Sequence, residues 1–159
     1  MTSNPNAAVK ANAISRAEQV LGAVADLRSE DFTGVGVVFY ECLVQLPHLQ
    51  LSNGFVKADP GRFVDVDLAS ALSSLSVARN PLHDGFHFVD ARSWHLTHLS
   101  QFISPPIPHN AEQKLHGAGA RLMAALLASL QPGIVCAGLV SQGGEVHLFS
   151  RGNYATQKN

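Results

Sequence analysis

A chain of 159 residues that is 46% hydrophobic and only 14% charged has the length and composition of one domain able to bury its own core. A formal charge of -1 and a pI near 6.7 give no basic footprint for nucleic acid. No apolar run approaches the roughly 20 residues of a membrane span, so no membrane partner is expected.

The opening stretch, MTSNPNAAVKANA, lacks the apolar run of a secretory signal. It reads as a polar, frayed leader over residues 1–12 ahead of a domain at 13–159, and the chain is expected to be cytoplasmic. From 13 to 28, Ile14, Ala17, Val20, Leu21, Val24 and Leu27 share one helical face, and Ser15 with Glu18 has the spacing of a capping box. GVGVVFYECLVQL, residues 34–46, is β-branched and aromatic and suits one buried strand. SNGFVKADPGRF is loop. Leu68, Leu72 and Leu75 mark a short helix that Asp65 or Asp67 starts. FHFVD (86–90) and SWHLTHLSQFI (93–103) read as strands, the second stopped by SPPIP. A histidine-containing loop, 105–116, leads through HGAGARL into a helix over 119–130, its apolar stripe made by Leu115, Leu122, Leu126 and Leu130 with Ala118 and Ala125. GIVCAGLV and EVHLFS are two strands joined by SQGG, a hairpin signal. The order α, β, α, β, β, α, β, β gives an α/β class, a mixed sheet flanked by helices. Cys42 and Cys136 each lie in an apolar segment and read as small buried side chains.

Three groups of residues carry chemistry. In His83-Asp84-Gly85, a carboxylate sits where a loop feeds a strand, placed to bind a divalent cation or take a hydroxyl proton, and the glycine opens the backbone to a ligand. The plain alternative is an Asp-Gly turn with a solvent-facing histidine. In the second group, Gly117 and Gly119 expose backbone N–H groups at a helix start, a phosphate-binding arrangement to which Arg121 adds charge. It lacks the lysine of a P-loop, and small residues there also serve close packing. The third group is the eight histidines. His83, Asp84, His87 and a remote histidine would make a transition-metal set, but strand alternation works against it and no pair stands four apart on a predicted helix.

Taken together, NPLHDGFHFVD, THLSQFISPPIP, GARLMAALLASL and IVCAGLVSQGGEVHLFSRG resemble, in order and spacing, the diadenylate cyclase domains, over roughly residues 14 to 152. The first string is similar to the family's Pro-Leu-His-Asp-Gly-Ala motif, and GARLM falls where the family has Gly-Thr-Arg-His-Arg. The resemblance implies a cyclase-type fold and a nucleotide site that binds ATP between two facing domains, hence a homo-oligomer. It makes Asp84 the catalytic aspartate and the ligand of Mg2+ or Mn2+, with His83, Gly85, Phe86, Gly119, Arg121 and Ser141 around the nucleotide. The pattern departs at Phe86 for alanine, Ala120 for threonine, Leu122-Met123 for His-Arg and Gln142 for an acid. Losing those polar groups removes charge stabilisation from phosphoryl transfer. The expected function is therefore a non-catalytic sensory module for a nucleotide-like molecule. The alternatives are a weak cyclase forming cyclic di-AMP and a His/Asp metal-dependent enzyme on the same scaffold.

Overall fold

The computed structural model describes residues 4–51, 58–109 and 119–158. Its elements in chain order are α1 (Pro5–Leu27), β1 (Val35–Tyr40), β2 (His48–Gln50), a 3-10 turn (Pro60–Phe63), α2 (Leu68–Leu75), β3 (Phe86–Asp90), β4 (Leu96–Ile103), α3 (Ala120–Ala128), β5 (Ile134–Val140), β6 (Val146–Ser150) and β7 (Asn153–Lys158). All seven strands join one mixed sheet in the order β2-β4-β3-β1-β5-β6-β7.

Alternation along the strands divides the apolar residues between two faces. On β1, Val35, Val37 and Phe39 pack with Leu21 and Val24 of α1 and Leu72 and Leu75 of α2. Val38 points the other way, into a cluster with Phe86, Phe88 and Phe149 and with Ala125, Leu126 and Ala128 of α3. The central strands are covered on both faces, so β5 is buried along its whole length, an apolar run without polar relief. Phe32, Phe39, Phe88 and Phe149 are fully buried, each contributing about 1.5–3 kcal/mol by leaving water. Gly36 leaves room across the β1–β3 pair for Phe86, whose ring lies 2.7 Å from where a Cβ would stand.

Four sequence expectations change. The first helix starts at Pro5, because the Asn4 side chain accepts a hydrogen bond from the Asn6 N–H and proline suits the first helical position. Ser15 and Glu18 are therefore mid-helix, and residues 5–12, expected as a frayed leader, are helical and exposed. The strand expected over 34–46 ends at Tyr40. There the N–H groups of Glu41 and Cys42 turn to the Gly133 carbonyl, which carries Cys42 out to an exposed position while Cys136 stays buried. The chain returns as β2, a short edge strand beside β4. A seventh strand, β7, follows a turn in which Arg151 and Gly152 both have positive φ, the geometry of a tight hairpin. Leu115, expected on the α3 stripe, lies outside the described residues.

The fold buries a histidine without a charge partner. His87 on β3 is fully buried, and its Nδ1 accepts a hydrogen bond from the Ser100 N–H at 3.1 Å. Its Nε2 has no partner among the described residues. Burial, and then the positive charge of Arg121, push its pKa from the usual 6.5 down to about 3. Between those values the unfolded chain binds a proton that the folded chain refuses. The stability from this group is thus complete above pH 6.5 and lost as pH falls toward 3. Urea midpoints of the wild type should fall by an amount worth a few kcal/mol across that window. His87→Leu should have lower stability at neutral pH, where the Ser100 N–H is orphaned, and a flatter acid slope. Equal slopes in the two proteins would contradict the assignment.

Candidate functional site

Because β1 runs parallel to β3 and antiparallel to β5, the starts of β1 and β3 and the end of β5 meet at one end of the sheet. Helix α3 begins there as well. The Arg121 side chain crosses from α3 to that end, where one terminal nitrogen donates to the Gly85 carbonyl at 3.4 Å. Its other terminal nitrogen stands 3.4 Å from the position a Cβ on Gly34 would take, and the Gln142 N–H nitrogen lies 3.5 Å from the same point. Asp84, Gly85, Arg121 and the turn after β5 are therefore neighbours in space.

Each residue arrives by a local cause. Asn80 and the turns around it bring the chain to His83, half-buried, whose Nδ1 lies 3.5 Å from the Thr33 hydroxyl and 3.6 Å from the Asp84 carboxylate. The Asp84 side chain is 69% exposed, free to meet a ligand, while its backbone carbonyl accepts a hydrogen bond from the Ser100 hydroxyl. Gly85 has φ +78°, and a Cβ there would stand 2.6 Å from the Gln101 carbonyl oxygen. The fold itself demands this glycine, because β4 passes too close for any side chain. Phe86 is buried in the α3-side core. Gly119 is the N-cap of α3, without a side-chain cap and, among the described residues, with no atom within 4 Å of where a Cβ would stand. Gly117 and His116 lie outside the described residues. The Ser141 hydroxyl accepts from the Glu145 N–H at 3.0 Å and closes the β5–β6 turn. Leu122 and Met123 pack against the core beneath α3.

Burial lowers the Arg121 pKa from its ordinary value, and the Asp84 carboxylate partly offsets this by favouring the charged form. A half-buried cation beside an exposed carboxylate is a place for an anionic group that also offers donors or a cation to Asp84. No set of three His, Cys, Asp or Glu side chains among the described residues converges on a metal position. Asp84 offers one carboxylate there, with the His83 imidazole 3.6 Å away. Three cavities, of about 630, 470 and 300 Å3, lie elsewhere, and none is lined by Asp84, Arg121 or Ser141.

Sequence reasoning missed two contributors. Ser100, in a left-handed bulge of β4 (φ +52°), holds both the Asp84 carbonyl and the His87 ring. Arg28, just after α1, lays its guanidinium over Gly144, where a Cβ would meet it at 2.6 Å. The latter had a faint signal, the Gly143-Gly144 pair, which leaves room for a side chain from another element.

No protein-family model matches the chain, and no curated protein matches it in sequence. Its fold is similar to that of solved structures. One is a hypothetical membrane spanning protein from Bacillus cereus, with TM-score 0.56 and 18% identity, covering 91% of this chain. This chain spans 62% of the length of that protein's structure. Another is a double mutant of DacA, a diadenylate cyclase, from Staphylococcus aureus, with TM-score 0.50 and 14% identity, covering 93% of this chain and 87% of that one. At these identities the likeness is one of fold. No helix among the described residues is long and apolar enough to cross a membrane.

The two glycines should respond in opposite ways. Gly85→Ala combines positive φ with a backbone clash and should destabilise by about 2 kcal/mol or more in urea unfolding. Gly119→Ala, in open space and with ordinary φ, should cost less than about 1 kcal/mol. Equal losses would mean that the close approach of β4 is not what fixes the β3 entry.

Proposed function

We propose that the chain is a non-catalytic binding module that recognises an anionic, nucleotide-like molecule at the sheet end, in the manner of a sensory domain. The observation that carries this reading is Arg121, held half-buried with its guanidinium against the backbone of Gly34 and Gly85 and beside the Asp84 carboxylate. A guanidinium fixed there is ready to pair with a phosphate by charge-assisted hydrogen bonds, and the first turn of α3 offers backbone N–H groups to the same anion. A Mg2+ or Mn2+ ion accompanying the phosphates would take Asp84 as its protein ligand and neutralise part of their charge.

Support for binding without turnover comes from Leu122 and Met123. Their side chains are committed to the core under α3, so they give the site neither charge nor hydrogen bonds. Gln142 brings an amide, not a carboxylate, to the turn after β5. Transfer of a phosphoryl or nucleotidyl group rests on positioning and charge stabilisation, and beyond Arg121, with Arg28 over the adjacent turn, the motif positions 122, 123 and 142 add no charge.

In thermal-shift titrations, ATP or a cyclic dinucleotide with Mg2+ should raise the apparent melting temperature, since a ligand of the native state stabilises it. Arg121→Ala, its fold checked by circular dichroism, should weaken that binding roughly 10- to 100-fold, for a contact worth about 1.5–3 kcal/mol. Incubation of the wild type with ATP and Mn2+ should leave no cyclic di-AMP. Equal affinities in wild type and Arg121→Ala would remove the site, and a product peak lost in Asp84→Asn would make the protein an enzyme.

A further inference from the structure

On the face that α3 covers over β1, β5 and β6, the neighbouring half of the sheet carries a second cluster, made of Tyr40, Phe88, His98 and His48. The imidazoles of His48 and His98 stand with ring centroids 5.4 Å apart and planes at 83°. Both are tied down through Nδ1. His48 Nδ1 lies 2.8 Å from the Leu46 carbonyl, and a carbonyl only accepts, so the ring proton is on Nδ1 and Nε2 carries a lone pair.

His98 reaches the same state through a small network. Its Nδ1 lies 2.9 Å from the Thr97 hydroxyl, which also meets the Tyr40 hydroxyl at 2.8 Å and the Phe88 carbonyl at 3.4 Å. All four groups are satisfied when Thr97 donates to Phe88 and accepts from both Tyr40 and His98. His98 Nε2 then also carries a lone pair.

We propose that His48 and His98 form a two-imidazole site for a divalent transition-metal ion of the zinc, copper and nickel class. Imidazole suits these ions, and a ligating histidine characteristically donates its other ring N–H to an oxygen, as His48 does to the Leu46 carbonyl and as His98 does to Thr97 in the arrangement just described. Two imidazoles sharing a tetrahedral ion at about 2.0–2.1 Å through Nε2 have centroids about 5 Å apart. The observed spacing lies near that value. With two protein ligands the ion keeps open positions for water or an added ligand. The site is separate from Asp84 and Arg121 and stands or falls independently of the nucleotide reading.

Untagged full-length protein titrated calorimetrically with Zn2+, and separately with Cu2+, should take up one equivalent per chain. His48→Ala and His98→Ala should each weaken uptake by at least the roughly 10- to 100-fold that loss of a merely orienting group costs. His95→Ala should leave it unchanged. His48 is exposed, so its truncation keeps the fold, and Cu2+ electron paramagnetic resonance should show two imidazole nitrogens in the wild type and one in His48→Ala. No uptake by the wild type, or equal uptake by the double variant, would overturn the proposal.

Discussion

Strand β1 has β3 beside it in the same direction and β5 on its other side in the opposite direction. That arrangement decides where everything else can go. Parallel pairing puts the entries to β1 and β3 at one end, so Gly34 and the His83-Asp84-Gly85 turn face each other across about one strand spacing. Antiparallel pairing returns β5 to the same end and sets the 141–144 turn beside them. Helix α3 feeds β5 and lies over β1, β5 and β6, so its first turn projects Arg121 to the same place. Residues far apart in sequence converge because the centre of the sheet is mixed.

The entry to β3 is held by β4. Between the pairs Phe86↔Gln101 and Phe88↔His98, two steps along β3 answer three along β4, which makes a bulge. Ser100 at that bulge turns its N–H to His87 and its hydroxyl to the Asp84 carbonyl, both in buried or half-buried surroundings. The same irregularity brings the Gln101 carbonyl against Gly85 and forces its conformation. It also resets the register of β4, so that His98 pairs with Phe88 and reaches His48. The nucleotide reading and the histidine pair thus depend on one departure from regular pairing.

Much of this was legible in the sequence. The apolar stripes of α1 and α2, the buried runs of β1 and β5, and the Ser141–Gly144 hairpin follow from local periodicity and turn chemistry, and they give the right order of all elements except β2, the 3-10 turn and β7. The Asp84 and Arg121 neighbourhood was legible only by analogy of motif, since no local signal joins positions so distant. The bulge at Ser100 was invisible, because a serine with positive φ is imposed by tertiary contacts and not by its own preference. The edge strands β2 and β7 were missed for a related reason. They are short or polar, and their pairing with β4 and β6, not their composition, makes them strands. The burial of Phe86 was not legible, because a large apolar residue beside a motif glycine reads equally as a ligand wall or as core, and only the space over Gly36 shows its ring in the packing.

The central claim is that an anion binds between α3 and the entries of β1 and β3. The most direct test is to titrate isotope-labelled protein with ATP and Mg2+ and follow backbone amides together with arginine side-chain Nε–H signals. The account predicts saturable shifts confined to Gly34, Asp84, Gly85, Gly119, Ser141, Gln142 and the Arg121 side chain. Shifts centred instead on the 630 Å3 cavity lined by Arg62, Arg79 and Asn80, with the Arg121 signal unmoved, would contradict it.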